Sequence, residues 1–338
     1  MVRVLVVSSD RSYALGLPAN LGDALLTDAM CGYLTALGHD VEAADFGGTR
    51  RSDKSERRPL RGFRQLVAAL GDYDAVLLGG GTLIQEDRNR RIVGGLARLC
   101  CAVRVAAWLR RRPVAYFGVG VDPLTRRSTR LLYWVATRRA AVWLRDERSV
   151  SRFRRYFGGR PDLAADAALL MQPFPSAERN VESTVVLAPN RRDAPQLDLA
   201  LIDKIRAAGR RPIVLSMSQT PGAADHDTLP RETLNAASVA ADLGWTDAVR
   251  ILSSSRAVVA SRMHGLYVAL LAGVPMVAVG DEPKIHAFAA EFGVPLVPKF
   301  SCYELGMERS AATDATATAA ARAREAALDL HRWLELPT

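Results

Sequence analysis

Residues 258–280, VVASRMHGLYVALLAGVPMVAVG, decide the fold. A short apolar run ends at Ala260, the polar segment 261–264 follows, and an apolar stretch of helical length leads to a second short run at Met276–Val279. Strand, helix and strand in this order predict a βαβ unit with two parallel strands. In open α/β sheets, ligands bind beyond the carboxyl ends of the strands, so the polar segment lies where a ligand is expected.

The same alternation extends outward over most of the chain. Further strands are predicted at Val2–Val7, Asp74–Leu78, Pro113–Phe117, Ala141–Leu144, Thr184–Ala188, Pro212–Met217, Ala257–Ala260 and Val294–Val297. A proline-rich segment interrupts the alternation, which predicts an α/β protein with two Rossmann-like domains, mainly parallel sheets and a cleft between them. The predicted parts are an N-terminal domain at 1–172, a linker at 173–183, a C-terminal domain at 184–309, and a helix at 310–338 that packs across the domains. Leu328, Leu330, Trp333 and Leu334 are its predicted apolar face.

Composition and charge favour a globular protein that binds anions. The 338 residues are 49% hydrophobic, and 45 Lys and Arg against 36 Asp and Glu give a formal charge of +9. Arginines crowd residues 50–64 and 110–139 in the N-terminal half, which predicts attraction to phosphorylated or membrane-bound anions. Thr49–Arg61 is polar and basic and is predicted to be a surface loop.

Cysteine usage and hydropathy indicate an ordinary intracellular protein. The four cysteines form no CxxC pair and no cluster with histidine, so neither disulfides nor a metal site are expected. The first apolar run is too short for a signal peptide, and longer apolar stretches contain Arg or His. A cytoplasmic location without a transmembrane helix is therefore expected.

Two glycine motifs follow predicted strands of the N-terminal half. Asn20-Leu21-Gly22-Asp23 opens a helix over 24–37, with Asp23 as its cap and Gly22 permitting close approach. Gly79-Gly80-Gly81-Thr82 leaves backbone N–H groups free at a helix start, as a phosphate site needs. Tight turns without a ligand explain these glycines equally well. Neither motif is a Walker loop or a GxGxxG fingerprint.

Arg145 directly follows a predicted strand in Leu144-Arg145-Asp146-Glu147-Arg148-Ser149. An arginine in this place is suited to hold a carboxylate or phosphate in a cleft. A surface ion pair of no functional importance is the alternative interpretation.

The segment Ser261-Arg262-Met263-His264-Gly265 carries the densest signal. His264 falls in the first turn of an otherwise apolar helix, where the helix dipole disfavours the protonated ring and a bound phosphate favours it. The alternative is a buried histidine with ordinary hydrogen bonds. Lys284, one of four lysines, lies at the next strand-to-helix turn, and together with Arg262 and Arg145 it makes an anion site the favoured hypothesis.

At this point the chain resembles the polysaccharide pyruvyl transferases. The resemblance rests on the motifs above, on Phe117-Gly118-Val119-Gly120, Asp166-Ala167-Ala168-Leu169, Ala272-Gly273-Val274-Pro275 and Pro283-Lys284, and covers roughly residues 4–300. It implies a GT-B-like fold and formation of a pyruvate ketal on a saccharide from phosphoenolpyruvate. The chain departs from the family pattern at Ala24 and in the arginine-rich segment 49–64. Both departures bear on the identity of the acceptor more than on that of the donor.

The resemblance also implies the site. His264, Arg145 and Lys284 are the expected catalytic residues, with phosphoenolpyruvate on the C-terminal domain and the saccharide or lipid-linked sugar on the N-terminal domain. The expected substrate-binding residues are Arg262, Ser261, Met263, Gly265, Asn20, Gly22, Asp23, Gly80, Gly81, Thr82 and Gly118. His264 is the one group of the catalytic set that exchanges protons near neutral pH, so it is the expected general acid and base. The scheme needs neither a metal nor a cofactor.

Two alternative functions stay open from the sequence. A GT-B glycosyltransferase with a nucleotide-sugar donor needs a carboxylate for the ribose, for which Asp281-Glu282 is the candidate. A non-catalytic protein that binds anionic lipid or nucleic acid fits the positive charge. The aromatic residues do not interleave with basic ones as a base-stacking surface requires, so nucleic acid is not an expected partner.

A basic and aromatic segment at 126–139 suggests a contact with an anionic membrane. On a helix, Leu131, Trp134, Val135 and Arg138 share one face, flanked by further arginines. This face is either the core side of a helix with a basic rim or a docking surface for the membrane that presents the acceptor.

Overall fold

The computed structural model describes residues 1–13, 16–46, 57–87, 94–171 and 183–336 of the chain. The chain divides into two compact units. Unit 1 comprises Met1–Gly16, Asp23–Leu170 and Ala319–Thr338, and unit 2 comprises Leu17–Gly22 and Met171–Thr318. Among the described residues, no helix combines the length and the apolar character that crossing a membrane requires.

Unit 1 is built on a sheet whose neighbouring strands all pair in parallel. The strands are β1 (Arg3–Val7), β2 (Asp40–Asp45), β3 (Arg57–Pro59), β4 (Ala75–Gly79), β5 (Val114–Val119), β6 (Ala141–Leu144) and β7 (Asp162–Leu163). Their order in the described sheet is β3-β2-β1-β4-β5-β6-β7. The connecting helices are α1 (Leu21–Ala36), α2 (Gly62–Ala69), α3 (Gly95–Leu109), α4 (Arg127–Thr137) and α5 (Glu147–Phe157). The central strands β1, β4 and β5 are buried apart from Arg3 at the start of β1, as their largely apolar sequences indicate.

Unit 2 repeats this architecture with a second parallel sheet. Its strands are β8 (Thr184–Ala188), β9 (Arg211–Leu215), β10 (Ser238–Ala240), β11 (Ala257–Ala260), β12 (Met276–Val279) and β13 (Leu296–Val297). Their order in the described sheet is β10-β9-β8-β11-β12-β13. The helices are α6 (Leu199–Ala207), α7 (Arg231–Ala236), α8 (Trp245–Ser253), α9 (Met263–Leu271) and α10 (Pro283–Phe292). The α/β class with two parallel sheets is confirmed.

The last helix, α11 (Thr313–Glu335), buries a face made largely of alanine. Leu330 and Leu334 are buried as predicted, but Leu328 is 41% exposed, so the prediction was wrong there. Within unit 1, the rings of Trp333 and Trp143 meet edge to face with centroids 6.3 Å apart.

Two predicted segments fall wholly or partly outside the described residues. The predicted linker 173–183 lies outside the described residues apart from Ser183. Residues 49–56 of the predicted basic loop also lie outside them. The loop prediction was wrong for Arg57–Pro59, which form β3. The side chain of Arg57 is buried, and ion pairs with Asp10 (3.0 Å) and Asp28 (2.6 Å) balance its charge.

Candidate functional site

The order of strands in unit 2 creates a point where ligands bind in sheets of this kind. After β8 the chain moves to β9 on one side, and it later returns to β11 on the other side of β8. The connections at the carboxyl ends of β8 and β11 therefore diverge and leave a crevice, which is the usual ligand site of an open α/β sheet. Ser261 and Arg262 form the connection after β11, and Met263 and His264 begin α9, at the place that the sequence indicated.

His264 is the second residue of α9, and its ring lies against the backbone of Gly22. A Cβ atom added to Gly22 would lie 1.9 Å from Nδ1 and 2.6 Å from Cγ of His264. Leu21 N donates to Met217 O at 2.8 Å, which fixes this segment at the end of β9 within unit 2. Gly22 thus permits close approach, but its neighbour in the structure is the histidine ring. This contact could not be predicted from the sequence, since the two residues belong to distant motifs.

Asn20, and not Asp23, caps the start of α1. The side-chain oxygen of Asn20 accepts a hydrogen bond from Gly22 N at 2.9 Å. The helix begins at Leu21, so Asp23 lies inside its first turn and the predicted cap was wrong. A carboxylate in the first turn still interacts favourably with the helix dipole.

Arg262 forms a two-point ion pair with a carboxylate that sequence reasoning missed. Its Nε lies 2.9 Å from Oδ2 of Asp225, and Nη2 contacts Oδ1. Asp225 is fully buried and also accepts hydrogen bonds from the backbone N–H groups of Met217 and Ser218. The charge of Arg262 is therefore balanced inside the protein, and the pair fixes the start of α9.

Ser261 orders the connection after β8. Its buried hydroxyl accepts a hydrogen bond from Asn190 N at 2.8 Å. The Asn190 side chain in turn donates to Asp193 Oδ2 at 2.7 Å. Gly265 is buried, and a Cβ atom there would be 3.4 Å from Sδ of Met217. Ser261 and Gly265 therefore shape the crevice, whereas Met263, the first residue of α9, is half-buried.

Lys284 belongs to a cluster of charges around Glu282. Nζ of Lys284 lies 2.9 Å from Oε2 of Glu282, and the two side chains are 41% and 33% exposed. Burial alone would raise the pKa of Glu282, but the positive charges of Lys284, Arg192 and Arg262 lower it below its ordinary value. Three cations of unit 2 thus act on one carboxylate beside the start of α10.

Arg145 lies at the end of β6 in unit 1 and is not a surface residue, since its side chain is 9% exposed. Nη2 donates to Oγ1 of Thr82 at 3.1 Å, and the guanidinium lies 3.2 Å from Asp146 and 3.8 Å from Asp166. A Cβ atom added to Gly120 would be 2.7 Å from Cζ of Arg145. Gly120 therefore makes room for the arginine, although the sequence singled out Gly118 of the same motif.

Two of the glycines predicted for the site, Gly80 and Gly81, follow β4 at the switch point of unit 1, between β1 and β4. Gly80 and Gly81 have φ angles of 77° and 65°, which favour glycine. A Cβ on Gly81 would be 3.1 Å from Oδ1 of Asp23. Gly118 packs against the backbone of residues 165–167 where the register of β5 and β6 shifts.

The structure thus gathers the predicted residues into one group within each unit. The unit 2 group contains Asn20, Gly22, Ser261, Arg262, Met263, His264, Gly265 and Lys284, and the unit 1 group contains Asp23, Gly80, Gly81, Thr82, Gly118 and Arg145. Among the described residues, no three His, Cys, Asp or Glu side chains lie together as metal ligands would.

Comparison with known structures shows the fold. The chain is similar to UDP-GlcNAc 2-epimerase from Methanocaldococcus jannaschii, with a TM-score of 0.62 and 10% identity over 98% of this chain and 100% of that one. It is also similar to the Rickettsia bellii enzyme of that name (TM-score 0.56, 11% identity, 99% and 97% covered) and to that from Neisseria meningitidis bound to UDP-GlcNAc (0.54, 13%, 99% and 94%). These likenesses show that the chain has a GT-B-like α/β fold.

Comparison at the level of sequence shows the family. A search of curated proteins gives no match. The sequence model of polysaccharide pyruvyl transferases, however, matches residues 20–283. This segment begins at Asn20, contains Arg145 and the whole segment 261–265, and ends one residue before Lys284. Since it covers well over half of the sequence, the chain belongs to the polysaccharide pyruvyl transferase family.

Proposed function

We propose that this protein transfers the pyruvyl group of phosphoenolpyruvate to a saccharide, where it forms a cyclic ketal with release of phosphate. The observation that carries the proposal is the position of His264, which stands in the first turn of α9 at the switch point of unit 2, against Gly22. A titratable ring at the ligand crevice of a family member is the group from which proton transfer to the substrate is expected.

The charges of unit 2 suit a donor that carries a phosphate and a carboxylate. Lys284, Arg192 and Arg262 all act on Glu282. In our proposal the donor phosphate takes the place of Glu282 on Lys284 and accepts hydrogen bonds from the first N–H groups of α9, where the helix dipole favours an anion. Arg262 remains with Asp225 and positions α9.

The proposed reaction requires only proton transfers besides the bonds made to the sugar and broken to phosphate. His264 donates a proton to the methylene carbon of phosphoenolpyruvate, and a sugar hydroxyl adds to the neighbouring carbon. Phosphate leaves as that carbon forms its bond to a second hydroxyl, and the two hydroxyl protons restore His264 and protonate the phosphate. The positive groups offset the charge that develops on the leaving phosphate. No step calls for a metal or a cofactor.

Arg145 is proposed as a catalytic group from unit 1. Its guanidinium is nearly buried beside Thr82, Asp146 and Asp166, so its position is fixed before any substrate binds. A fixed arginine costs less conformational entropy on binding a carboxylate or phosphate than a mobile one. The structure of unit 1 supports this role, and Arg145→Ala should lower turnover by about 100-fold if the role is right.

A nucleotide sugar is the alternative donor, with Asp281 or Glu282 as the carboxylate that would hold its ribose hydroxyls. Glu282 is held by Lys284 at 2.9 Å, a contact that a phosphate on Lys284 or a ribose on Glu282 would each replace. Thermal shift measurements with phosphoenolpyruvate and with UDP-GlcNAc separate the two donors, because a ligand that binds the native state raises the melting temperature. We expect stabilisation by phosphoenolpyruvate. Stabilisation by UDP-GlcNAc alone would contradict the proposal.

The test of function is phosphate release from phosphoenolpyruvate in the presence of saccharides, glycolipids and lipid-linked sugars. His264→Gln keeps a side chain of similar size and hydrogen bonding that does not titrate, and should lower turnover by about 100-fold or more. His286→Gln, on the exposed face of α10, is the matched control and should leave turnover unchanged. Equal turnover in the two variants would remove His264 from the chemistry.

A further inference from the structure

The exposed face shared by α3 and α4 in unit 1 is unusually apolar. Five of the large hydrophobic side chains that the described residues expose lie on these two helices: Val105 (37% exposed), Trp108 (66%), Leu109 (52%), Leu131 (60%) and Trp134 (40%). A cavity of about 370 Å³ opens on this face between the helices. Clustered exposed hydrophobic side chains indicate a contact with another molecule or with a membrane.

The exposure decides between the two interpretations of α4 that the sequence allows. Thr129, Tyr133, Ala136 and Thr137 form the buried side of the helix. Leu131 and Trp134 point to solvent, so the face at 131, 134, 135 and 138 is not a core face. The contribution of α3 is visible only in three dimensions, where Val105 and Trp108 line the same cavity as Trp134.

Arginines surround this apolar face. The cavity is lined by Arg104, Arg138 and Arg139, and a neighbouring cavity of about 600 Å³ adds Arg111 and Arg112. No acidic residue lines either cavity in the described part of the chain. Cζ of Arg138 lies 5.0 Å from the centre of the Trp134 ring, and Nε of Arg104 donates to the Arg138 carbonyl at 3.0 Å. These contacts hold the arginines beside the aromatic rings without cancelling their charge.

We propose that this face, the α3–α4 surface, docks on an anionic phospholipid bilayer. Tryptophan favours the interface between water and hydrocarbon, and arginine extends its charge toward lipid phosphates while its apolar stem stays buried. Anionic lipid complements the ring of arginines. A second copy of the chain would bring the same arginines face to face, and like charges at an interface disfavour that pairing. The proposal does not depend on the reaction.

The direct test measures binding of the full chain to vesicles. We expect sedimentation with vesicles that contain phosphatidylglycerol, none with pure phosphatidylcholine, and release as salt rises, because salt screens exposed charges. Brominated lipid should quench the fluorescence of Trp108 and Trp134. The conservative variant Trp108→Phe/Trp134→Phe should still sediment but lose most of the quenching, since Trp143 is buried and the partly buried Trp245 and Trp333 lie on α8 and α11, outside this surface.

Charge-matched variants locate the contact on this face. Arg138→Gln/Arg139→Gln should weaken binding about 30-fold, if each arginine near an anionic bilayer contributes as is usual. Arg154→Gln/Arg155→Gln removes the same charge from the exposed end of α5 and should leave most of the binding intact. Trp108→Ala/Trp134→Ala should weaken it as well. All four side chains that are changed on the α3–α4 surface are exposed, so the variants should fold.

Three results would overturn the proposal. Wild-type protein that stays in solution with anionic vesicles at low salt does not dock on membranes. If Arg138→Gln/Arg139→Gln and Arg154→Gln/Arg155→Gln weaken vesicle binding equally, the overall charge of the protein, and not this surface, binds the lipid. A dimer that dissociates in Trp108→Ala/Trp134→Ala without any vesicle binding would assign the surface to a second copy of the chain.

Discussion

Gly22→Ala is predicted to inactivate the enzyme by displacing His264 while leaving the fold intact. The added Cβ would lie 1.9 Å from Nδ1, 2.6 Å from Cγ and 2.9 Å from Cβ of His264. Ordinary contact between such atoms begins near about 3.5 Å, so the ring must move by roughly 1.5 Å. The clash reaches as far as the histidine Cβ, which a rotation of the ring alone does not relieve.

The expected loss of activity follows from that displacement. A shift of about 1 Å in a catalytic group costs about 100-fold in rate. Alanine is a better helix former than glycine by about 1 kcal/mol, so the first turn of α1 should not be weakened by the substitution itself. Turnover, measured as phosphate released from phosphoenolpyruvate, should therefore fall about 100-fold without a matching fall in helix content by circular dichroism.

Gly32→Ala is the matched control, because Gly32 lies in the same helix and a Cβ there meets nothing within 4 Å. This variant should keep wild-type turnover and melt at the same or a higher temperature. If Gly22→Ala retains turnover within about threefold of Gly32→Ala, the close packing of Gly22 and His264 does not matter for catalysis, and the reasoning fails.

Three further predictions concern other parts of the chain. Gly120→Ala should lower turnover about 100-fold, to the level expected for Arg145→Ala, because its Cβ would lie 2.7 Å from Cζ of Arg145; normal turnover in a folded variant would contradict this. Lys284→Ala should weaken phosphoenolpyruvate binding by about 2 kcal/mol, measured by calorimetry, and unchanged affinity would exclude the contact. Burial and the neighbouring His331 lower the pKa of His39, so the unfolded chain takes up a proton at higher pH than the folded one. The melting temperature should therefore decrease as the pH is lowered from about 6.5. His39→Leu should make the melting temperature less dependent on pH. An equally steep dependence in this variant would mean that another group causes it.

The sequence predicts the buried strands well because parallel strands covered on both faces are continuous apolar runs. Ala141–Leu144 and Met276–Val279, for example, form strands with the predicted bounds. The strands that were missed carry polar or charged residues or are very short. β2 has the sequence DVEAAD, and β7 has two residues. Their pairing depends on neighbouring strands and leaves little pattern in the sequence.

The sequence identifies motif residues but not their partners. His264 and Arg262 stand out because an ionisable group in an apolar segment is conspicuous. Asp225, which balances Arg262, lies 37 residues earlier in a stretch without a recognisable motif. Counting cations alone therefore overstated the positive charge near Arg262. The α3–α4 surface shows the same limit, because only packing brings Trp108 next to Trp134.

In the proposed reaction, His264 of this pyruvyl transferase family member supplies a proton to the methylene carbon of phosphoenolpyruvate as the ketal forms. The most direct measurement is the reaction in deuterated water, followed by nuclear magnetic resonance of the saccharide product. We expect a ketal methyl group carrying one solvent deuterium and one phosphate released per ketal, and we expect both to be lost in His264→Gln but not in His286→Gln. A product without solvent deuterium in its methyl group, or ketal formation by His264→Gln at the wild-type rate, would contradict it.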